Sequence, residues 1–112
     1  MTSHRPNFLF FLPDQLRHDW LGCAGAEPVR TPNSDALARR GVRFLNAYTP
    51  SPLCAPARAC LASRREYSAC GVPDNRHDFP LDAPTYYARL RAVGYHVMGC
   101  GKFDLHKNSL IW

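Results

Sequence analysis

The sequence has no apolar run long enough to cross a membrane. Its first such run, residues 8–12, falls far short of the roughly 20 residues that a spanning helix needs. It is also too short for the core of a secretion signal, and the opening Met1-Thr-Ser-His-Arg-Pro lacks the character of a signal n-region. These absences read as a cytoplasmic chain with no membrane partner. The 5 cysteines are odd in number and include no C-x-x-C pair, which argues against a disulfide framework and against a zinc site. Most are expected to be small buried apolar residues, and Cys54 is set apart by its neighbours. Lysine is scarce beside arginine. The net charge of +5 is dispersed rather than striped, and no nucleic-acid-binding signature is present. Most of the arginines therefore read as a solvated basic face, while arginine as a type suits phosphate- and sulfate-like anions.

What is present suits one small domain. The chain has 112 residues with 46% hydrophobic content, enough to exclude disorder. Residues 7–12 form a continuous apolar run ended by Pro13, the pattern of a strand buried on both faces in a parallel sheet. Asp14 and Gln15 follow at the carboxyl end of that strand, where α/β proteins place their sites. An acidic oxygen there can hold a divalent cation, and the competing reading is a turn residue after Pro13. Residues 17–30 read as a Gly- and Pro-containing loop in which His18, Asp19 and Trp20 either line a pocket or pack the loop.

Thr31 to Gly41 reads as a short helix, with Thr31 as N-cap, Pro32 in the first turn and Gly41 at C′. Residues 42–48 read as the next strand, leading into the extended Thr49-Pro-Ser-Pro-Leu53. A second helix is expected from Asp82, its cap, to Gly94, its stop. Its Tyr86, Leu90 and Val93 share one face and are expected in the core. Residues 95–100 read as another strand. The alternation of strand and helix implies an α/β fold with a mostly parallel sheet flanked by helices.

The stretch with most chemistry is Cys54-Ala55-Pro56-Ala57-Arg58. Pro56 has a fixed φ and no N–H to lose, so it suits the first turn of a helix. Cys54 then sits at a helix N-terminus, where unpaired N–H groups and the dipole favour negative charge. Arg58 lies one turn on and can point back toward Cys54. That arrangement suits a nucleophile acting on an anionic ester.

This Cys-x-Pro-x-Arg motif resembles that of the type I sulfatases, in the alkaline-phosphatase-like superfamily, and the neighbouring segments strengthen the resemblance. Thr31-Pro-Asn-Ser-Asp-Ala-Leu37 is similar to the family's Thr-Pro-Asn-x-Asp-x-Leu stretch. Gly71-Val-Pro-Asp-Asn75 resembles the turn that follows the family's nucleophile helix. Gly101-Lys102 is similar to the start of its Gly-Lys-Trp-His-Leu motif.

The resemblance implies that a formylglycine-generating maturation enzyme oxidises Cys54, and that the hydrated aldehyde attacks the ester of a small anionic substrate. It also implies that Asp14 and Gln15, together with the group derived from Cys54, ligate a divalent metal. Calcium is the expected ion, with Mn2+ and Mg2+ as alternatives. Arg58 and Lys102 are implied to hold the nucleophile and the anion, Lys102 offsetting charge that builds in the transition state.

Three positions depart from the pattern. Gln15 stands where the family has a second acidic ligand. Arg64 stands where a glycine normally ends the nucleophile helix in a left-handed conformation, which costs on the order of 1 kcal/mol for another residue. Asp104 stands where the family has histidine, leaving His106, two residues further on, as a candidate in a different register.

The chain reaches Trp112 without the distal Asp and Asn (or His) that complete the family's metal site. The expectation is that residues 1–112 are the N-terminal fragment of a sulfatase catalytic domain. Such a fragment, lacking later strands, would be marginally stable and inactive alone. The leading expectation for function is a sulfuric ester hydrolase. A phosphonate monoester or phosphodiester hydrolase of the same superfamily is the runner-up, favoured by Asp14-Gln15 and Ala57. A non-catalytic α/β remnant or partner-binding module is a further reading. An enzyme using the unmodified Cys54 thiol ranks below these, because no His/Asn or His/Asp partner set stands out.

Overall fold

The computed structural model describes residues 5–27 and 29–107. The opening residues 1–4, read above as lacking a signal n-region, and the end of the chain at Trp112 lie outside the described residues. The chain divides into two compact units, Met1–Asn46 and Ala47–Trp112, and each is taken by itself.

The first unit contains 3-10 turns at His18–Trp20 and Gly22–Ala24, followed by α1, Pro32–Arg40. Pro32 opens the helix as expected. Thr31, however, makes no side-chain cap hydrogen bond. Its hydroxyl accepts from the Gly22 N–H (2.8 Å) and donates to Asp35 Oδ1 (2.9 Å). Asp35 Oδ1 also accepts from the Cys23 N–H (2.7 Å), and Arg43 donates to the Cys23 carbonyl. Thr31 and Asp35 thus clamp the preceding 3-10 turn onto α1, which satisfies backbone donors that the turn leaves open. Gly41 is extended (φ −118, ψ −160) rather than left-handed, and its N–H closes the helix on the Leu37 carbonyl.

The second unit is built on α2, Cys54–Ser63. Its Ala55, Ala59 and Ala62 recur at helical spacing, are at most 1% exposed, and form a smooth face that neighbouring segments approach closely. The core around that face is Ala55, Ala59, Cys60, Ala62, Cys70, Val72, Phe79 and Leu105, with Ala83 and Tyr87 packed against it. Arg64 ends the helix in the left-handed region (φ 58, ψ 34), the conformation that the departure from glycine at this position implied. A 3-10 turn, Tyr67–Ala69, then packs on α2.

The third helix, α3, runs Tyr86–Ala92 and is shorter than expected. Asp82 is not its cap. Pro84 disfavours helical backbone in the residue before it, residues 80–83 close a separate turn through Ala83 N–H to Pro80 O (3.2 Å), and Thr85 becomes the cap, its hydroxyl accepting from the Ala88 N–H (3.2 Å). Gly94 is left-handed (φ 89), in keeping with its expected role as the stop. The expected core stripe also shifts. Val93 is 54% exposed, Tyr86 and Leu90 are half-buried, and Tyr87 is the residue that packs on the core.

The expected parallel sheet is absent from the described residues. Residues 7–12, 42–48 and 95–100 contain no strand there, and most of their large apolar side chains are exposed, Leu9 at 96% and Phe44 at 78%, while Tyr95 and Val97 are half-buried. The physical reason is that a strand is a property of a pair. An apolar β-type segment becomes one only when another segment takes up its backbone groups, and the described residues place none beside these three. No helix among the described residues is long and apolar enough to cross a membrane.

Candidate functional site

The start of α2 is fixed by an accounting of backbone donors. The extended Leu53 is the N-cap residue (φ −95, ψ 144) and offers no side-chain cap bond, as its apolar side chain dictates. The surrounding sequence supplies the acceptors. Buried Ser51 accepts the Leu53 N–H on its hydroxyl (3.1 Å), and its carbonyl accepts from the Thr49 hydroxyl (3.0 Å). The Ala55 N–H donates to the Asn75 side-chain oxygen (3.0 Å), across 20 residues of sequence. Pro56 has no N–H, and the Ala57 N–H bonds the Leu53 carbonyl (3.1 Å). Cys54, a half-buried free thiol, is therefore held at the positive end of a helix whose first turn carries no acidic residue.

Arg58 follows one turn along α2. Its Nη1 donates to the carbonyl of Lys102 (2.6 Å), which brings together the two segments that carry the sulfatase-like motifs. Gly101 makes that turn possible with φ 97. The 101–107 segment is anchored by Phe79 N–H to Leu105 O (2.7 Å) and by Lys107 N–H to Asp78 Oδ1 (3.0 Å). Asp104, left-handed at φ 57, stands between two cations, 3.9 Å from Lys102 Nζ and 3.6 Å from Lys107 Nζ. The departure from histidine at this position thus places a carboxylate beside the lysine. His106 is half-buried next to buried Leu105. Burial, reinforced by a hydrogen bond with Tyr86, pushes the Tyr87 phenol well above its usual range, and nearby Arg58 opposes that shift.

Asn75 belongs to the Gly71–Asn75 turn that resembles the family's, and nothing in its local sequence marks it as a site residue. The missing signal is tertiary: only the folded backbone shows that its amide caps a helix beginning 21 residues earlier. Asp74 beside it ties the turn together, accepting from the Arg76 N–H (2.8 Å) and side chain (2.7 Å) and contacting His77 Nδ1 (2.7 Å). Those contacts, Arg76 first, hold the Asp74 carboxyl well below the usual carboxylate range.

Asp14 and Gln15 lie in the first unit, exposed, at a bend where Gln15 is left-handed (φ 49). They offer a carboxylate and an amide oxygen, donors that suit a hard divalent cation. No group of three or more His, Cys, Asp and Glu able to hold a metal occurs among the described residues. These two side chains fall short of the six to eight oxygens that calcium takes, so the described residues do not make a complete metal site. His18, Asp19 and Trp20 are all exposed, and the last two contact a neighbour in their own loop. Arg17 bonds Asp19 (2.5 Å) and sits over the Trp20 ring (5.9 Å), and that guanidinium lowers the Asp19 carboxyl from its ordinary value. An open depression of about 400 Å³, lined by Gly22, Cys23, Asp35, Ala38, Arg39 and Arg43, contains none of the expected site residues.

The structure thus has a thiol at the start of α2, a guanidinium one turn on, and a lysine-bearing turn tied to that guanidinium through the Lys102 carbonyl. The Sulfatase family model matches residues 6–110, and the chain belongs to the sulfatase family. It is 41% identical over 102 residues to a choline-sulfatase of Rhizobium meliloti, covering 91% of this chain and 20% of that protein. It is 34% identical over 103 residues to an N-acetylglucosamine-6-O-sulfatase of Bacteroides thetaiotaomicron (92% and 18%). It is 38% identical over 110 residues to arylsulfatase A of Homo sapiens (93% and 22%). The chain thus spans about a fifth of the length of the curated relatives it matches. No solved structure gives a significant match. The family implies an alkaline-phosphatase-like α/β fold and, in general, use of a divalent metal and formylglycine.

Proposed function

We propose that this chain is the N-terminal part of the catalytic domain of a sulfuric ester hydrolase, carrying its nucleophile and part of its anion-binding apparatus. The observation that carries the reading is the bond from Arg58 to the Lys102 carbonyl, which joins the Cys54 helix to the Gly101-Lys102 turn. In this reading Cys54 is the precursor of formylglycine, produced by a maturation enzyme. The modified residue supplies a hydrated aldehyde whose hydroxyl attacks the ester. The chain's own residues do the rest of the local work. Asn75 holds the first turn of α2, and Arg58 sets the position of the Lys102 backbone. The Lys102 ammonium, shared with Asp104, offsets negative charge on the sulfate oxygens. Asp14 and Gln15 contribute part of a divalent-cation shell, with calcium the expected ion. The substrate is a small anionic ester, and similarity to a choline-sulfatase, an N-acetylglucosamine-6-O-sulfatase and an arylsulfatase A supports sulfate esters as its class.

A second reading, hydrolysis of phosphonate monoesters or phosphodiesters, is favoured by Gln15 and Ala57. To separate the two, the complete catalytic domain of which this chain is the leading part is co-expressed with a formylglycine-generating enzyme, the Cys54 peptide is mapped by mass spectrometry, and an aryl sulfate and a phosphate diester are assayed in parallel. Conversion of Cys54 with turnover of the sulfate ester supports the first reading. Conversion with preferential turnover of the diester supports the second. A persistent free thiol in an active protein defeats the formylglycine mechanism. Full conversion without turnover of either ester moves the non-catalytic reading to the front. Reading the coding DNA past the Trp112 codon, for a distal Asp with a neighbouring Asn or His, tests the assignment of residues 1–112 as the leading part of a larger domain.

A further inference from the structure

Three charged side chains meet on the segment after Gly101. Asp104 lies between two ammonium groups, its Oδ2 3.9 Å from Lys102 Nζ and its Oδ1 3.6 Å from Lys107 Nζ. Its side chain is 14% exposed, against 46% for Lys102 and 33% for Lys107. The carboxylate is therefore the most buried of the three and the least screened by salt. The backbone that carries them is held along its length. The Lys102 carbonyl accepts from Arg58, the Leu105 carbonyl accepts from the Phe79 N–H, and the Lys107 N–H donates to Asp78 Oδ1. Asp104 itself is left-handed at φ 57, a conformation that aspartate and asparagine tolerate better than most residues. A residue held there is fixed by its surroundings. The charge beside Lys102 is thus a built feature of the turn, and it stands where the family pattern has histidine.

We propose that Asp104 is a specificity-determining residue that favours monoanionic esters over dianionic phosphate monoesters. The inference rests on the reading of Lys102 as part of the anion-binding apparatus. A sulfate ester carries one negative charge, and so does a phosphate diester or a phosphonate monoester. A phosphate monoester carries close to two above its second pKa of about 6. Lys102 and Lys107 attract all of these, and Asp104 repels them. Both effects grow with the charge of the ester. With a neutral residue at position 104, a second negative charge would meet two uncompensated ammonium groups and bind better for it. With Asp104, part of that gain is offset by repulsion from a fixed carboxylate. Discrimination between two similar ligands commonly needs such a repulsive group as well as an attractive one. Asp104 serves both ends, since the same carboxylate also keeps the Lys102 ammonium in place.

The test uses the complete catalytic domain of which this chain is the leading part, matured and metal-loaded, with an aryl sulfate and the matching aryl phosphate monoester as paired substrates. Asp104→Asn keeps the shape and the left-handed backbone and removes the charge. It should raise kcat/KM for the phosphate relative to the sulfate on the order of tenfold. Asp104→Glu keeps the charge and should keep the parent's ratio. Loss of packing or of lysine position alone lowers both substrates together and leaves the ratio where it was. Asp104→His, the residue of the family pattern, also removes the negative charge and should move the ratio the same way, so the measurement stands even if Asp104→Asn does not fold. Competitive acylation of lysines, read by mass spectrometry on the same proteins, should show Lys102 reacting about two- to fivefold faster once the carboxylate is gone. An unchanged substrate ratio in an active Asp104→Asn or Asp104→His variant overturns the proposal, and so does a Lys102 reactivity that ignores the substitution. A parent domain that hydrolyses neither the aryl sulfate nor a phosphate diester overturns the underlying hydrolase reading, and this specificity with it.

Discussion

Replacing Asn75 by alanine removes the acceptor for the Ala55 N–H at the start of α2. An N-terminal helix donor satisfied by a side chain is worth about 1 kcal/mol, within a range of roughly 0.5–2. Here the donor belongs to a residue only 1% exposed, so water does not readily replace the lost oxygen. A buried donor left unsatisfied costs roughly 1–3 kcal/mol, which puts the expected loss in the upper half of the capping range, about 1–2 kcal/mol. For a domain of this size each kcal/mol corresponds to about 4–8 °C in Tm, so Asn75→Ala should lower the melting temperature by several degrees. The assay is thermal unfolding followed by circular dichroism, with Asn75→Asp alongside. The aspartate keeps the acceptor and places negative charge at the positive end of the helix, an interaction worth roughly 0.3–1 kcal/mol. It should melt at or above the parent temperature. The reasoning fails if Asn75→Ala melts within a degree of the parent, or if Asn75→Asp falls as far as the alanine variant.

Three further outcomes follow from other positions. Arg64→Gly should stabilise the protein by about 1 kcal/mol, because glycine holds the left-handed conformation at φ 58 without the Cβ penalty. A urea midpoint that does not rise would count against the strain. Gly22→Ala should destabilise the first unit by roughly 1–3 kcal/mol. A Cβ there meets Asp35 Oδ2 at 2.6 Å, and moving that carboxylate breaks its bonds with Cys23 and Thr31. Limited proteolysis around residues 20–31 should speed up. The Asp74 carboxyl is lowered in the folded state by Arg76 and His77, so its contribution to stability is complete above the ordinary carboxylate pKa of about 4 and is lost as pH falls below it. Asp74→Asn should flatten the urea midpoint between pH 5 and pH 2, and an unchanged slope would show that the ion pair is screened away by solvent.

The sequence alone determined the local features whose causes are local. Pro56 two residues after Cys54, and the alanines beyond it, specify a helix that begins at the cysteine, because a fixed φ and small side chains favour that backbone whatever surrounds it. Gly94 marked a helix stop, and the alignment of Arg64 with a glycine position announced a left-handed residue. The same short motifs carried the family, since Cys54, Arg58, Gly101 and Lys102 identify it without any coordinate. Tertiary structure decided whatever depends on a distant partner. Asn75 became the cap of α2, Thr31 turned from its own helix to clamp the Gly22 turn, and Tyr87 rather than Val93 reached the core. Segments 7–12, 42–48 and 95–100 have the composition of strands. Composition expresses only a preference, however, and a strand forms only when a neighbouring segment takes up the backbone hydrogen bonds that the first cannot satisfy alone.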